Sequence, residues 1–267
     1  MKSVVITGST RGIGHGLASE FLKRGCRVII TGRSADKVNA VAREFAITYG
    51  EDRVAGTLCE VTDRDSLDRL WSFAAGEFGT VDIWINNAGI SIRRAPLEEQ
   101  SPADIQAIVE TNLTGMLYAN QVALAGMKAQ GSGQIWNMEG FGSGGQTAPG
   151  MAAYGCTKRA VAYLNAALQK EIAGSGVQVC TLSPGIVVTD LLVGDYDLHS
   201  PQWQKTKRIL NILGDRVQTV TPFLVDGILA SRKTGARVTW LTGRKAAWRF
   251  MTAAFNKRDL FAGIPGA

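Results

Sequence analysis

Two short segments carry most of the chemistry that can be read from this sequence. In Tyr154-Gly155-Cys156-Thr157-Lys158 a phenol and an amine stand four residues apart. On a helix, side chains at i and i+4 share one face. A free phenol titrates near ~10 and is a poor acid–base catalyst at neutral pH. An ammonium beside it favours the phenolate, so proton exchange with a carbonyl oxygen becomes feasible. The second segment is Thr7-Gly8-Ser9-Thr10-Arg11-Gly12-Ile13-Gly14, entered directly from an apolar run that starts at Ser3. Its glycines permit a tight turn and close backbone approach. A helix opening there would offer free N–H groups and a partial positive charge to a pyrophosphate. Alone, the first segment is an ordinary helix pair and the second an ordinary β-α turn. Together they point to hydride chemistry with a bound dinucleotide.

The second apolar run ends Ile30-Thr31-Gly32-Arg33-Ser34, without an acid. An acid at that point normally holds an unphosphorylated ribose. Arg33, with Ser34 beside it, can instead form a charge-assisted fork to a 2′-phosphate. Arg11 is a second cation for the same group. The expected cofactor is NADPH rather than NADH.

These side chains need a scaffold. Short Val- and Ile-rich runs recur at 3–7, 27–31, 54–61, 83–86, 134–138, 177–182 and 237–241. They mostly lack strict alternation, as expected of parallel strands buried on both faces. Helical patterns lie between them, at 13–23, 34–49, 63–78, 101–127 and 151–172. This predicts an α/β fold: one doubly wound (Rossmann) domain over 1–267, with about seven parallel strands and helices on both faces. The stretch 191–214 breaks the rhythm and is expected to be a substrate lid.

The loop spacing Gly-x3-Gly-x-Gly resembles that of the short-chain dehydrogenase/reductase family. Further matches follow in order: Glu60-Val61, where the family usually has Asp-hydrophobic against adenine; Asn86-Asn87-Ala88-Gly89; and Ser183-Pro184-Gly185-Ile186-Val187-Val188-Thr189. The resemblance implies that Glu60, Val61, Asn87, Ala88, Gly89, Pro184, Gly185, Val187 and Thr189 line the cofactor. It also implies that Tyr154 is the proton donor, that Lys158 binds the nicotinamide ribose, and that Asn112 holds a water linking Lys158 to solvent. The family's usual fourth member is a Ser thirteen residues before the Tyr; counting back here reaches Phe141. In Asn137-Met138-Glu139-Gly140-Phe141-Gly142-Ser143, Glu139 and Gly140 replace the usual serines. Ser143 is then the expected substitute, brought to the carbonyl by a glycine-rich loop.

That departure is itself a resemblance. Asn137 to Gly145, Ala153 to Arg159, Thr189-Asp190-Leu191-Leu192 and the Trp-rich tail are similar to the chlorophyll b reductase branch of the family. The branch implies reduction of a chlorin 7-formyl group or a related bulky carbonyl. Trp136, Phe141, Met151 and Trp203 are possible cleft walls, with Trp136 better suited to the core. Rival readings are a reductase of another small carbonyl compound and a non-catalytic NADPH-binding sensor or scaffold.

Composition excludes other classes. Apolar content of 45% is ordinary for a globular chain, and the four Cys are scattered at 26, 59, 156 and 180. The only histidines are His15 and His199, so no metal site is expected. The apolar run begins at Ser3 and the cysteines look reduced, so a cytoplasmic location is expected. Homodimers or homotetramers are expected through the helices at 101–127 and 151–172. The net charge of +6 concentrates in the tail at 244–267. Nucleic acid is not an expected partner. A membrane contact through the tail is less expected than a solvated basic face with its aromatics in the core.

Overall fold

The computed structural model describes residues 1–194, 196 and 198–263, with Pro201 and Gln202 described by their backbone alone. Asp195 and Asp197 of the expected lid, and the last four residues of the expected tail, lie outside the described residues. The strands are β1 (Ser3–Ile6), β2 (Arg27–Gly32), β3 (Val54–Leu58), β4 (Ile83–Asn86), β5 (Gly133–Met138), β6 (Val177–Ser183), β7 (Val187–Val188), β8 (Asp215–Arg216) and β9 (Arg237–Thr239). Seven form one parallel sheet in the order β3-β2-β1-β4-β5-β6-β9, and β7 pairs with β8. The strand order reverses between β1 and β4, where a doubly wound sheet opens its ligand crevice.

The helices are α1 (Gly12–Lys23), α2 (Ala35–Tyr49), α3 (Arg64–Phe78), α4 (Pro102–Val109), α5 (Gly115–Gln130), α6 (Ala152–Glu171), α7 (Asp190–Val193), α8 (Pro201–Leu213), α9 (Val217–Ala230) and α10 (Gly243–Thr252). Val4, Ile6, Val28 and Ile30 pack under α1 and α9, against Leu17, Phe21 and Leu224. Val5, Ile29, Trp84 and Ile135 pack on the other face, against Leu67, Leu70 and Val122 of α3 and α5. Both faces of the central strands β1, β2, β4 and β5 are thus buried, which is why their runs carry little polar alternation.

The predicted helix at 101–127 is broken. A π-helical turn, Glu110–Thr114, joins α4 to α5 and contains buried Asn112. Helix α9 has no clear sequence signal: Val217, Val220, Thr221 and Val225 are β-branched and Pro222 lies inside it. Burial against α1 overrides these weak propensities. The approach is close, because a Cβ at Gly16 would run into Val217 and Thr221.

Candidate active site

The glycine loop is held from below by the loop after β4. Thr7 Oγ1 accepts from the backbone N–H groups of Asn87 and Ala88, both at 3.0 Å. Asn87 Nδ2 donates to the Thr7 and Gly8 carbonyls, each at 3.0 Å. A side chain at Gly14 would collide with the Gly8 carbonyl and Asn87. Arg11 is the N-cap residue of α1, its side chain does not cap the helix, and the first turn carries no acid. The first N–H groups of α1 therefore point outward without an intrahelical partner, which suits a phosphate. Buried Ser9 ties the loop to β2, with Ser9 N donating to Thr31 O at 2.9 Å.

At the end of β2, Thr10 packs against Gly32, next to Arg33. Arg33 is well exposed and lies 3.9 Å from the Glu60 carboxylate, a long and weak pairing. Glu60 also accepts from the Thr62 N–H, and Val61 is buried. Arg11 Nη1 lies 3.5 Å from Asp190, with both side chains mostly exposed, so this pair too is readily exchanged for a phosphate. Across the cleft, Thr189 caps α7 and neighbours Gly12, while Gly185 lies against Leu241. Val187 is buried in β7. The residues expected at the cofactor thus gather along the carboxyl ends of β1, β2, β3, β4 and β6, and their small side chains and exposed cations fit a dinucleotide.

Tyr154 and Lys158 share one face of α6, with Lys158 Nζ 5.8 Å from the Tyr154 ring centre. Lys158 is buried at 6% exposure, and Nζ donates to the Met138 carbonyl at 3.4 Å. Burial pushes its pKa down to about 8, and the Glu139 carboxylate opposes that shift. Glu139 lies at the end of β5, nearly buried, and accepts from Arg237 of β9 at 2.7 and 3.2 Å. No local pattern signals this pair, because its members are 98 residues apart.

Ser143, the expected substitute for the usual serine, is tied to backbone. It is buried at 3% exposure, its hydroxyl donates to the Lys158 carbonyl at 3.0 Å, and it accepts from the Gly140 N–H at 3.2 Å. The single O–H proton is therefore engaged by backbone. The loop turns through Gly142 at φ +100°, which folds Ser143 under α6. Gly140 lies close to the Tyr154 hydroxyl, where a side chain would collide with it.

Asn112 is fixed to the loop after β4. Its Oδ1 accepts from Ile90 N and its Nδ2 donates to Ile90 O, both at 2.8 Å. The side chain clamps the loop after β4, and Gly89 lies against it. Below the site, Asn137 bonds to Asn86, Asn120 and Asn165 at 2.7–3.0 Å, so α5 and α6 are locked to the sheet.

Of the possible cleft walls, Trp136 is fully buried in the core, as favoured. Trp203 is not a wall: it is fully buried between Tyr196 and Phe261, with ring centres 5.2 and 5.1 Å away. Met151 is buried, and Phe141 is 41% exposed. Arg94 was not expected; its guanidinium lies 4.3 Å from the Tyr196 ring, joining the loop after β4 to the 191–214 segment. Among the described residues, no metal-binding cluster occurs, and no helix is long and apolar enough to cross a membrane.

Comparison with known proteins agrees with this architecture. Residues 2–197 match the short chain dehydrogenase family. The chain is 37% identical over 266 residues to a chlorophyll(ide) b reductase NOL, chloroplastic, of Oryza sativa subsp. japonica, covering 96% of this chain and 76% of that protein. Among solved structures, a 7α-hydroxysteroid dehydrogenase complexed with NADH and 7-oxo glycochenodeoxycholic acid matches with a TM-score of 0.78 at 26% identity, covering 91% of this chain and 93% of that one. ElxO with NADP bound matches with a TM-score of 0.76 at 27% identity, covering 92% and 99%. A glycine loop on an uncapped helix, a phenol over a buried lysine, and these likenesses lead to one conclusion: the chain belongs to the short-chain dehydrogenase/reductase family and is an oxidoreductase.

Proposed function

We propose that this protein is an NADPH-dependent carbonyl reductase of a bulky aldehyde or ketone, with the 7-formyl group of a chlorophyll(ide) b-type chlorin as its substrate. The observation that carries the reading is the Tyr154 hydroxyl held against side-chain-free Gly140, over the buried ammonium of Lys158. The reading draws further support from the 37% identity to a chlorophyll(ide) b reductase over nearly the whole chain.

When bound, the reduced nicotinamide supplies the hydride. The backbone N–H groups at the start of α1 and the loop from Gly8 to Gly14 hold the pyrophosphate. Arg33 and Arg11 would take the 2′-phosphate, and Glu60 and Val61 would hold the adenine. Pro184, Gly185, Val187 and Thr189, with Ala88 and Gly89, would hold the nicotinamide half. Tyr154 gives its phenolic proton to the carbonyl oxygen as the alcohol forms. Lys158, as an ammonium, favours the resulting phenolate and bonds the ribose. Asn112 acts through Ile90 and the π-helical turn, where the altered bonding pattern leaves a carbonyl for a water that returns protons to Lys158. Gly140 adds no second hydroxyl, so Tyr154 alone bonds the substrate oxygen, and the space beside exposed Phe141 admits a flat ring. The 191–214 segment closes over it. Exposed Leu117 of α5 and Tyr163 of α6, 44% and 78% accessible, support homo-oligomerisation through those helices.

The test is a panel of carbonyl compounds that includes chlorophyllide b and pheophorbide b, following NADPH oxidation and product mass. A 7-hydroxymethyl product from a formyl chlorin is the expected result. Turnover of other carbonyls alone overturns the chlorin assignment. Tight NADPH binding with no turnover of any carbonyl overturns the reductase.

A further inference from the structure

The C-terminal helix is inverted relative to a normal surface helix. Its inward contacts are made by arginines: Arg249 donates to the Leu213 carbonyl at 2.8 Å and to buried Asp215 at 2.8 Å. Arg258, after the helix, donates to the same carboxylate at 2.7 Å and to the Gly214 carbonyl at 2.9 Å. Trp240 Nε1 adds a third donor to Asp215 at 2.6 Å. The outward side is apolar. Trp248, Met251 and Phe255 are 63%, 68% and 92% exposed, and Phe250 is 51% exposed. The expected arrangement, aromatics inside and cations in water, is therefore reversed at Trp248, Phe250, Phe255, Arg249 and Arg258, while Phe261 is buried and Arg244 and Lys257 are exposed. Trp248, Met251 and Phe255 stand at i, i+3 and i+7 and continue one face from α10 into the turn after it. Phe250 borders a groove of about 680 Å³ between α8 and α10, rimmed by Lys207, Arg208 and Lys257.

We propose that this face docks the protein on the surface of an anionic phospholipid bilayer. The charge decides between occupants. Between Asp226 and Asp259 the chain has eight cations and no acid. Of these, Arg237, Arg249 and Arg258 are paired with Glu139 and Asp215, while Arg244, Lys245 and Lys257, which stand beside the aromatics in the sequence, are in no ion pair among the described residues. A second copy docked about a twofold axis would set those cations against one another. An anionic bilayer offers negative headgroups and, just beneath, an apolar layer for exposed aromatics. Trp and Phe flanked by Lys and Arg have the chemistry of a side-chain set that anchors at a membrane interface. The groove between α8 and α10 receives headgroup phosphates. This inference is independent of the substrate assignment.

The experiment is co-sedimentation of the full chain, loaded with NADP, with vesicles of phosphatidylcholine alone or mixed with phosphatidylglycerol. At least about tenfold more protein is expected to sediment with the anionic vesicles, with the difference abolished by high salt. Trp248→Ser with Phe255→Ser should lose most of this binding while circular dichroism and NADP binding stay as in the parent. Arg244→Glu with Lys257→Glu should lose it as well, and a second cationic variant, Lys207→Glu, checks the groove. Equal sedimentation with both vesicles, or none, overturns the proposal. So does a dimer in sedimentation velocity that the aromatic substitutions dissolve, since that makes a second copy the occupant. Binding to polyglutamate as tight as to anionic vesicles, unchanged by the aromatic substitutions, overturns it in favour of an acidic protein.

Discussion

The Tyr154 hydroxyl rests against the Cα of Gly140: a methyl group placed there would lie 2.5 Å from the phenolic oxygen. The glycine is thus part of how the phenol is aimed. Gly140→Ala should push the flexible end of Tyr154 aside without disturbing the sheet. Activity is expected to fall by about 10- to 100-fold, as for a small misplacement of a reacting group. The thermal midpoint should hardly move. Gly140→Ser, although it restores a hydroxyl, should fail in the same way. Steady-state kinetics paired with thermal unfolding would check both.

Ser143 and Tyr154 should separate cleanly. Tyr154→Phe removes the proton donor and should abolish turnover. Ser143→Ala leaves the Gly140 N–H without its acceptor inside the fold, at a cost of about 1–3 kcal/mol. Its effect should be read mainly in denaturant midpoint, with the rate lowered by less than about tenfold. A Ser143→Ala enzyme as dead as Tyr154→Phe would return Ser143 to the substrate.

Lys158 gives a pH prediction. Its folded pKa, about 8, lies below the ordinary lysine value of 10.5, so the fold disfavours its charged form. The penalty is full below pH 8, where the group is charged both folded and unfolded. It is relieved as pH rises from about 8 towards the unfolded value. Lys158→Met should therefore stabilise the cofactor-free protein at pH 7, by up to about 3 kcal/mol, and lose that advantage near pH 10.5. The same variant should be inactive. Urea unfolding at the two pH values would check the sign.

Glu139 faces the same ammonium. Its carboxylate holds the Lys158 pKa up against burial. Glu139→Gln should let that pKa fall further, so the alkaline limb of kcat/KM moves to lower pH while activity in acid is little changed. An unshifted limb would mean that Glu139 only binds Arg237.

Cofactor choice rests on Arg33, whose contact with Glu60 is long and solvent-exposed. Arg33→Asp should lower kcat/KM for NADPH by about 10- to 100-fold relative to NADH, through loss of a charge-assisted fork and added repulsion. An unchanged ratio would sink the NADPH assignment.

What the sequence by itself determined was local or periodic. The central sheet strands could be read because apolar runs buried on both faces need no partner information to stand out, and the edge strands β3 and β9 by their place in the repeating strand–helix rhythm. The glycine loop and the Tyr154–Lys158 pair could be read because a turn and a helical face are set by neighbours a few residues apart. Only the tertiary structure decided the rest. It turned Ser143 onto the Lys158 carbonyl, joined Glu139 to Arg237 across 98 residues and buried Trp203 against Phe261. It also made a helix of a β-branched, Pro-containing segment by packing it on α1, and put Arg249 of α10 inward on Asp215 with Trp248 and Phe250 outward. Each of these is a long-range contact, and its energy exists only once distant segments meet. Composition and spacing list the groups, but which side each one faces is settled by what the folded chain brings against it.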